Sequence, residues 1–287
     1  MESLFSCLTW NVENFGTNSR DSDGKLKPAF KNKVSDITQT IKNYDPDVFA
    51  IFEVRSTDVF YEFMNHFEGY TFQITEGPQT QETLVGVKGK FNSFITQKLE
   101  FKTGNSVLRP GVLLTLIING IHYTLLFVHF KSMNDPSGWG LRDQMFDKMR
   151  SLKKAINTMA GSPDNANFIV AGDFNTMGMN YTYGDHDVSP EQEITRMKKL
   201  VHGSSYRMRL PAKSHSYTYY NGGEPGLTGN LDHVVASDHL VFRDFEGSEV
   251  KVCGLTDFPY RSAEQKNWTK RYSDHGFLYF EILDQNF

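Results

Sequence analysis

Six short apolar runs of this sequence carry a polar residue where they stop or start. The first ends in Thr9-Trp10-Asn11 and the second in Phe52-Glu53-Val54. A third ends in Val128-His129-Phe130-Lys131-Ser132 and a fourth in Gly172-Asp173-Phe174-Asn175. A fifth begins Leu231-Asp232-His233, and the last follows Ser273-Asp274-His275. A carboxylate or amide inside an apolar run is costly unless it is hydrogen-bonded or binds a metal. One such residue is ordinarily a satisfied structural group. Six at the ends of runs point to a shared site, because open α/β sheets build their sites beyond their strand ends. Oxygen donors on separate strands suit Mg²⁺, a hard cation that keeps several waters.

The elements that position these residues are legible from periodicity. Leu4 to Trp10 reads as a strand. Val48 to Val54 is nearly all apolar, as expected of a strand buried on both faces. Between them Lys31 to Tyr44 reads as a helix, with Val34, Ile37 and Ile41 on one face and Asp45-Pro46-Asp47 as its stop. Thr57 to Phe67 is expected to be a second helix. Tyr70 to Ile74, Thr83 to Val87 and Phe91 to Phe101 are expected strands. Val112 to Ile118 and Ile121 to Phe130 flank Asn119-Gly120, a strong hairpin signal because both turn positions need positive φ. A long amphipathic helix follows, with Met145, Met149, Leu152, Ile156 and Met159 on one face. Phe168 to Ala171, Ser216 to Tyr220, His233 to Ala236, Val250 to Cys253 and Phe277 to Ile282 complete the strands. Many strands with few helices predict an α/β sandwich, two sheets inside and helices outside. No linker rich in Pro, Gly or Ser divides the chain, so a single domain over 1–287 is expected.

Composition narrows the function classes. The chain has 287 residues, 39% hydrophobic and 22% charged, as in an ordinary globular protein. Its net charge of -4 argues against a surface coated in basic charge for non-specific DNA binding. A local basic groove stays compatible with that balance. The N-terminus MESLFSCLTW lacks a basic segment and a long apolar run, and no stretch approaches the ~20 apolar residues of a membrane span. A cytoplasmic monomer without membrane association is expected. Cys7 and Cys253 are read as two buried thiols in a reducing compartment.

Taken in order, Trp10-Asn11, Glu53, His129, Gly172-Asp173-Phe174-Asn175, Asp232 and Ser273-Asp274-His275 resemble the endonuclease/exonuclease/phosphatase superfamily. The resemblance runs from residue 9 to the closing strand at Ile282 and implies a DNase-I-like fold: a four-layer α/β/β/α sandwich of two mixed sheets flanked by helices. It implies a divalent-metal-dependent phosphodiesterase that uses Mg²⁺, with Mn²⁺ as a substitute, and in-line attack by an activated water. By similarity Asn11, Glu53 and Asp274 hold the metal. Asp173 orients or deprotonates the water, and Asn175 holds that water or a phosphate oxygen. Being two apart, Asp173 and Asn175 should point the same way on an extended segment. An Asx turn is the structural alternative for this pair. His275 is paired with Asp232, which favours an imidazolium able to stabilise the transition state or protonate the leaving oxygen. His129 resembles a second phosphate-contacting histidine, with Lys131 nearby as an extra cation.

Other residues are set aside or left open. His233 should face away from Asp232. His186 and His215 are expected in a loop and at a strand start. Arg142, following the loop Asn134 to Gly140, is a candidate substrate contact. The chain lacks the further motifs of abasic-site endonucleases after His129 and the Pro-Ala-Trp-Cys-Asp-Arg signature of inositol phosphatases near Asp232. His129-Phe130-Lys131-Ser132 looks like microbial nuclease-like members, so a nucleic acid, DNA or RNA, is the expected substrate. Lys25, Lys27, Lys31 and Lys33, and also Arg207, Arg209 and Lys213 before Tyr217, Tyr219 and Tyr220, interleave cations with aromatics in a way that suits single strands. The alternatives are a lipid headgroup or small phosphate ester, or an inactive scaffold. Intact Asn11, Glu53, Asp173, Asn175, Asp232 and His275 argue against the last.

Overall fold

The computed structural model describes residues 2–223 and 226–284. In chain order its strands are β1 (Ser3–Phe15), β2 (Val48–Val54), β3 (Tyr70–Ile74), β4 (Glu82–Lys88), β5 (Asn92–Lys98), β6 (Gly111–Ile118) and β7 (Ile121–His129). They continue with β8 (Asn167–Asp173), β9 (Met208–Arg209), β10 (Tyr219–Tyr220), β11 (Thr228–Gly229), β12 (Asp232–Ser237), β13 (Lys251–Cys253) and β14 (Phe277–Leu283). The helices are α1 (Pro28–Tyr44), α2 (Thr57–His66), α3 (Pro136–Ala160), α4 (Pro190–His202) and α5 (Ala263–Arg271).

Two six-stranded sheets form, in the orders β13-β14-β1-β2-β4-β3 and β5-β6-β7-β8-β12-β9. Each is mixed. Only β1–β2 in the first and β7–β8 in the second run parallel. The strand period of two sends alternate residues to opposite faces. Phe5, Cys7, Ala50 and Phe52 therefore meet Leu114, Phe127, Ala171 and Val234 between the sheets. Leu8, Trp10, Phe49 and Ile51 point the other way and are covered by Val34, Ile37 and Ile41 of α1, Val59 and Phe63 of α2, and Trp268 of α5. On the far side Val128, Phe168, Val170 and Val235 are covered by Met145 and Met149 of α3 and Met197 and Val201 of α4. The four layers follow from this double alternation.

The hairpin forms as expected, with Asn119 at φ 51° and Gly120 at φ 78°. Some expectations need correction. Met159 is 87% exposed, because in the last turn of α3 the inward position is taken by Asn157, which donates to the Ser205 carbonyl (2.9 Å). Phe91 to Phe101 is a strand followed by a 3₁₀ turn over Leu99–Lys102. Ser216 to Tyr220 contributes only a two-residue strand. Two helices were not anticipated. α4 starts with a capping box in which the Ser189 hydroxyl accepts from Gln192 N and the Gln192 side chain accepts from Ser189 N, with Pro190 in the first turn. α5 has a single large apolar anchor, Trp268, and so no hydrophobic period to read. Cys7 and Cys253 are buried free thiols in different clusters, on opposite faces of the first sheet.

Candidate active site

Strand register assembles the site. β1 and β2 are parallel with Asn11 opposite Phe52, which brings Asn11 beside Glu53. In the second sheet His129 pairs with Asp173 across β7–β8, and Asp173 with Asp232 across β8–β12. Three polar residues thus stand in a row at the edge of one sheet. The two sheets meet where Asn11 Nδ2 donates to Glu53 Oε1 (3.3 Å) and to Asp173 Oδ2 (3.0 Å).

Backbone irregularities aim two of these side chains. Simple alternation from Phe52 would send Glu53 to the helix-covered face. The register of β2 against both neighbours shifts at this point, and Glu53 takes φ 62°. Such a bulge re-aims a side chain, and a non-glycine residue at positive φ is a cost of order 1–3 kcal/mol, found mostly at functional sites. Asn14, also at positive φ, donates its N–H to Glu53 Oε2 (3.0 Å). Gly172 sits at φ 139°, where an added Cβ would lie 2.2 Å from the Val128 carbonyl and 2.7 Å from the Phe52 ring. The glycine of Gly-Asp-Phe-Asn is therefore a steric necessity.

Asp173 and Asn175 do meet, though not by extended alternation. Asn175 has φ 50°, and its N–H donates to Asp173 Oδ1 (2.8 Å) in an Asx turn. Asn175 Nδ2 donates to Asp173 Oδ2 (3.0 Å) and to the Phe130 carbonyl (3.1 Å). The turn and the shared site are one structure. Burial, and then the Asp232 charge, push Asp173 up to about 7, against the relief given by His275.

The Ser-Asp-His segment is clipped to the end of β1. Ser273 Oγ donates to the Asn11 carbonyl (2.6 Å) and accepts from His275 N (3.1 Å). Trp10 Nε1 donates to the His275 carbonyl (3.0 Å). His275 Nδ1 lies 2.8 Å from Asp232 Oδ2, which leaves Nε2 free of this pair. Burial opposes charge on His275, but the Asp232 carboxylate and its hydrogen bond outweigh it and hold the imidazolium up to about 10. Asp274 is pushed up to about 6, first by burial and then, against His275, by the Glu13 and Glu53 carboxylates. Among the described residues Asp274 shares no hydrogen bond with Asn11 or Glu53, although its charge couples to Glu53.

His129 stands between the two halves, with Nε2 3.5 Å from Asp173 Oδ2 and 3.8 Å from Glu53 Oε1. Burial, with Arg109, His275 and Lys131 near, depresses its pKa well below the ordinary value.

Three polar atoms here have no partner among the described residues: Asn11 Oδ1, His129 Nδ1 and Arg109 Nε are buried and unbonded. An orphaned amide oxygen beside Glu53, with Asp274 raised by neighbouring carboxylates, suits an oxygen-seeking divalent cation. Asp173, Asp232 and His275 also bring ligand atoms within 4.8 Å of one another. That trio is less suited to a cation, because Asp232 and His275 already satisfy each other.

Sequence reasoning missed two contributors, Arg109 and Thr218, and read a third, Lys33, only as one of four cations flanking the loop after the first strand. Arg109 donates Nη2 to the Phe130 carbonyl (2.8 Å), and its charge couples to Asp173 and Glu53. Lys33 donates to the Glu13 carbonyl (3.2 Å), and the Asp274 and Glu53 charges reach it. Thr218 is fully buried and its hydroxyl accepts from Leu231 N (3.0 Å) and Asp232 N (2.9 Å), fixing the start of β12. Arg109 precedes β6 without an apolar run to mark it. Only its place before a strand hinted at a site.

The remaining candidates lie elsewhere. Arg142 does not face substrate. Its buried guanidinium holds Glu193 (2.9 Å) and the Met133 and Gly178 carbonyls, bracing loops against α4. His233 faces away from His275, with Nε2 2.8 Å from Thr176 Oγ1. His186 packs on Tyr181 and His215 on Tyr217, apart from the cluster. Arg207 pairs with Asp238 and Asp164, and Arg209 with Glu249. Tyr220 is fully buried.

Residues 8–275 match the sequence pattern of the endonuclease/exonuclease/phosphatase family. The chain belongs to this family. Its members, as the name states, hydrolyse phosphate ester bonds. Among curated proteins no sequence match to this family member was found. Solved structures similar to it include truncated Caenorhabditis elegans TDP2, with 15% identity, 98% of each chain covered and a TM-score of 0.66. A D. rerio TDP2 complexed with a single-strand DNA product is 15% identical, with 98% of this chain and 99% of that one covered and a TM-score of 0.61. The Bacteroides thetaiotaomicron mannosyl-6-phosphatase is 13% identical, with 98% and 100% covered and a TM-score of 0.61. At these identities the likeness shows the DNase-I-like fold alone.

Proposed function

We propose that this family member is a divalent-metal-dependent phosphodiesterase acting on nucleic acid. The observation that carries the reading is the junction of two unlike half-sites by one residue, Asn11, which donates to both Glu53 and Asp173. Asn11, Glu53 and Asp274 would hold the cation, which when bound supplies Lewis-acid polarisation of a phosphoryl oxygen. Asp173, raised by burial and oriented by Asn175, takes the proton of the attacking water. His275 keeps its charge against Asp232 and stabilises the phosphorane from the opposite side, or returns a proton to the leaving oxygen. His129, between Asp173 and Glu53, is placed to contact a phosphoryl oxygen. Arg109, Lys33 and Lys131 supply cations around the mouth, consistent with a polyanion. The D. rerio relative bound to single-strand DNA supports the choice of polymer.

A second reading has its own observation. Beside Glu53, the loops after β1, β2 and β3 enclose a cleft of about 660 Å³ lined by Thr17, Asn18, Ser56, Glu76, Gln79 and Glu82, with Arg55 the one cation among the described lining residues. Hydroxyls, amides and two carboxylates can bond the hydroxyls of a sugar, and the guanidinium can bond its phosphate; one relative is a mannosyl-6-phosphatase. A substrate panel tests the two readings. Single-stranded DNA, duplex DNA, RNA, a sugar phosphate and a generic phosphodiester would each be offered with Mg²⁺, Mn²⁺ or EDTA, with His275→Ala as control. Metal-dependent cutting of a polymer, absent in the variant, supports the nuclease. Turnover of the sugar phosphate alone supports the second reading, and silence throughout rejects both.

A further inference from the structure

Two cavities open beside the mouth, on the flank of the second sheet between α4 and the segment 210–217. The larger, about 500 Å³, is lined by Lys198, Lys213 and His215, and the smaller, about 310 Å³, by Tyr217 and Tyr260. They share Ser216 and Asn230 and so form one groove. Its inner end touches the site. Asn230 lies two residues before Asp232, and its carbonyl accepts from the hydroxyl of Thr176, which follows Asn175 (2.5 Å).

The groove brings two amines together at one end. Lys213 Nζ donates to Asn230 Oδ1 and to the Asp232 carbonyl (2.6 Å). Burial lowers its pKa to about 7, with the Asp232 charge opposing and Lys198 adding to the shift, so an arriving phosphate dianion or diester favours its charged form. Among the described residues no carboxylate forms an ion pair with Lys213 or Lys198. The nearby Glu249 is already held by Arg209 through two hydrogen bonds (2.5 and 2.6 Å). The Glu191 carboxylate at the far wall accepts from the Ser189 hydroxyl (2.8 Å). The aromatics are fixed. The Tyr217 hydroxyl accepts from Gln265 Nε2 (3.1 Å), and its ring meets Tyr260 edge-on at 5.9 Å. Tyr260 is 52% exposed.

We infer that this groove carries a single strand of nucleic acid away from the active site, with a phosphate at Lys198 and Lys213 and a base against Tyr217 and Tyr260. The inference rests on the nuclease reading and deepens it. A duplex keeps its base faces stacked and cannot use the tyrosines. A flexible strand presents one π-face and one phosphate per nucleotide, which matches a pair of aromatics next to a pair of amines. A small phosphate ester would end before Asn230 and gain nothing from the groove.

Tyr260→Ala and Lys198→Ala separate these cases, since neither residue belongs to the catalytic cluster. Lys213 is avoided because it also holds the Asp232 carbonyl. Steady-state kinetics would compare a single-stranded decanucleotide with bis(p-nitrophenyl) phosphate. Tyr260→Ala is expected to lower kcat/KM on the oligonucleotide about 5- to 100-fold, through KM, the range of one lost base stack. Lys198→Ala should also reduce the slope of log(kcat/KM) against log[salt] by about 0.7, one phosphate contact on a single strand. Turnover of the small ester should stay within about twofold, against the stacking effect above. Equal losses on both substrates, or none on the oligonucleotide while the parent protein cuts it, would overturn the groove assignment and leave the nuclease standing. Failure of the parent protein to cut any oligonucleotide while it turns over the ester would remove the nuclease reading, and this inference with it.

Discussion

The two halves of the mouth are built on opposite plans. On one side, Asp173, Asn175 and Asp232 at the end of the second sheet, with His275 reaching over from the segment before β14 of the first, are all 5% exposed or less and bonded to one another or to backbone. At the end of the first sheet, Glu53 and Asp274 are only partly buried, Glu53 sits at positive φ, and the buried Asn11 oxygen has no donor. The second half is pre-organised by protein alone. The first half is under-satisfied and strained, as expected of groups whose partner arrives from solution.

The largest effect should come from the pre-organised half. Asp173→Ala and His275→Ala are each expected to lower kcat by about 10²–10⁴-fold, the usual range of acid–base groups, with unchanged circular dichroism. Full activity in both variants would break the assignment. In the other half, Glu53→Gln should lose activity and also a binding signature. Saturating Mg²⁺, at about 100 times its Kd, should stabilise the parent protein by about 2.7 kcal/mol and the variant by far less. Differential scanning fluorimetry with and without the ion reads this directly. If Mg²⁺ stabilised both equally, the cation would belong elsewhere, with the Asp173, Asp232 and His275 trio the next candidate.

Thr218 sharpens the contrast at smaller cost. Thr218→Val strips two backbone N–H groups of their acceptor, for about 1–3 kcal/mol each in stability at most. Activity should fall further than stability alone accounts for, because Asp232 and then His275 lose their footing. Thr218→Ser should restore both. Urea titration beside kinetics separates the two effects.

The smallest effect concerns Lys153, fully buried behind the second sheet, where its amine donates to the Ala166 carbonyl (3.1 Å) and Ser237 Oγ (2.9 Å). Burial lowers its pKa to about 8, against the pull of Asp238 and Asp164. The unfolded chain, at about 10.4, binds this proton more tightly. Lysine burial therefore costs stability below pH 8, and that cost lifts as pH rises from about 8 to about 10.4, by at most about 1.4 kcal/mol per unit. Lys153→Met should flatten that rise relative to the parent protein in urea titrations at pH 7.5 and 9.5. An identical slope in the two proteins would show that the amine stays charged within the fold.

Much of this site was legible in the chain. Apolar runs interrupted at their ends named Asn11, Glu53, His129, Asp173, Asp232 and His275, and parallel or antiparallel register brings those ends to one edge. Where local signals were misread, the reasons differ. The α4 capping box was present at Ser189 and simply outweighed by the surrounding loop. α5 had no period to find, since only Trp268 anchors it. Met159 fits the helical period, yet in the last turn of α3 it is Asn157 that packs inward.

What the amino-acid order determined by itself is local: which runs are strands, the Asn119-Gly120 turn, and the set of polar residues left at strand ends. These follow from short-range sterics and from the cost of burying unpaired polar groups. What only the tertiary structure decided is which of those groups meet. Glu53 reaches Asn11 through a bulge that no period announces. Arg142, a basic residue near a loop, is consumed by Glu193, which lies fifty-one positions away. Arg109 and Thr218 enter the site from segments with no motif, and Lys33 alone of its run of cations reaches it. Such pairings depend on register and on packing between distant segments, and a linear pattern contains neither.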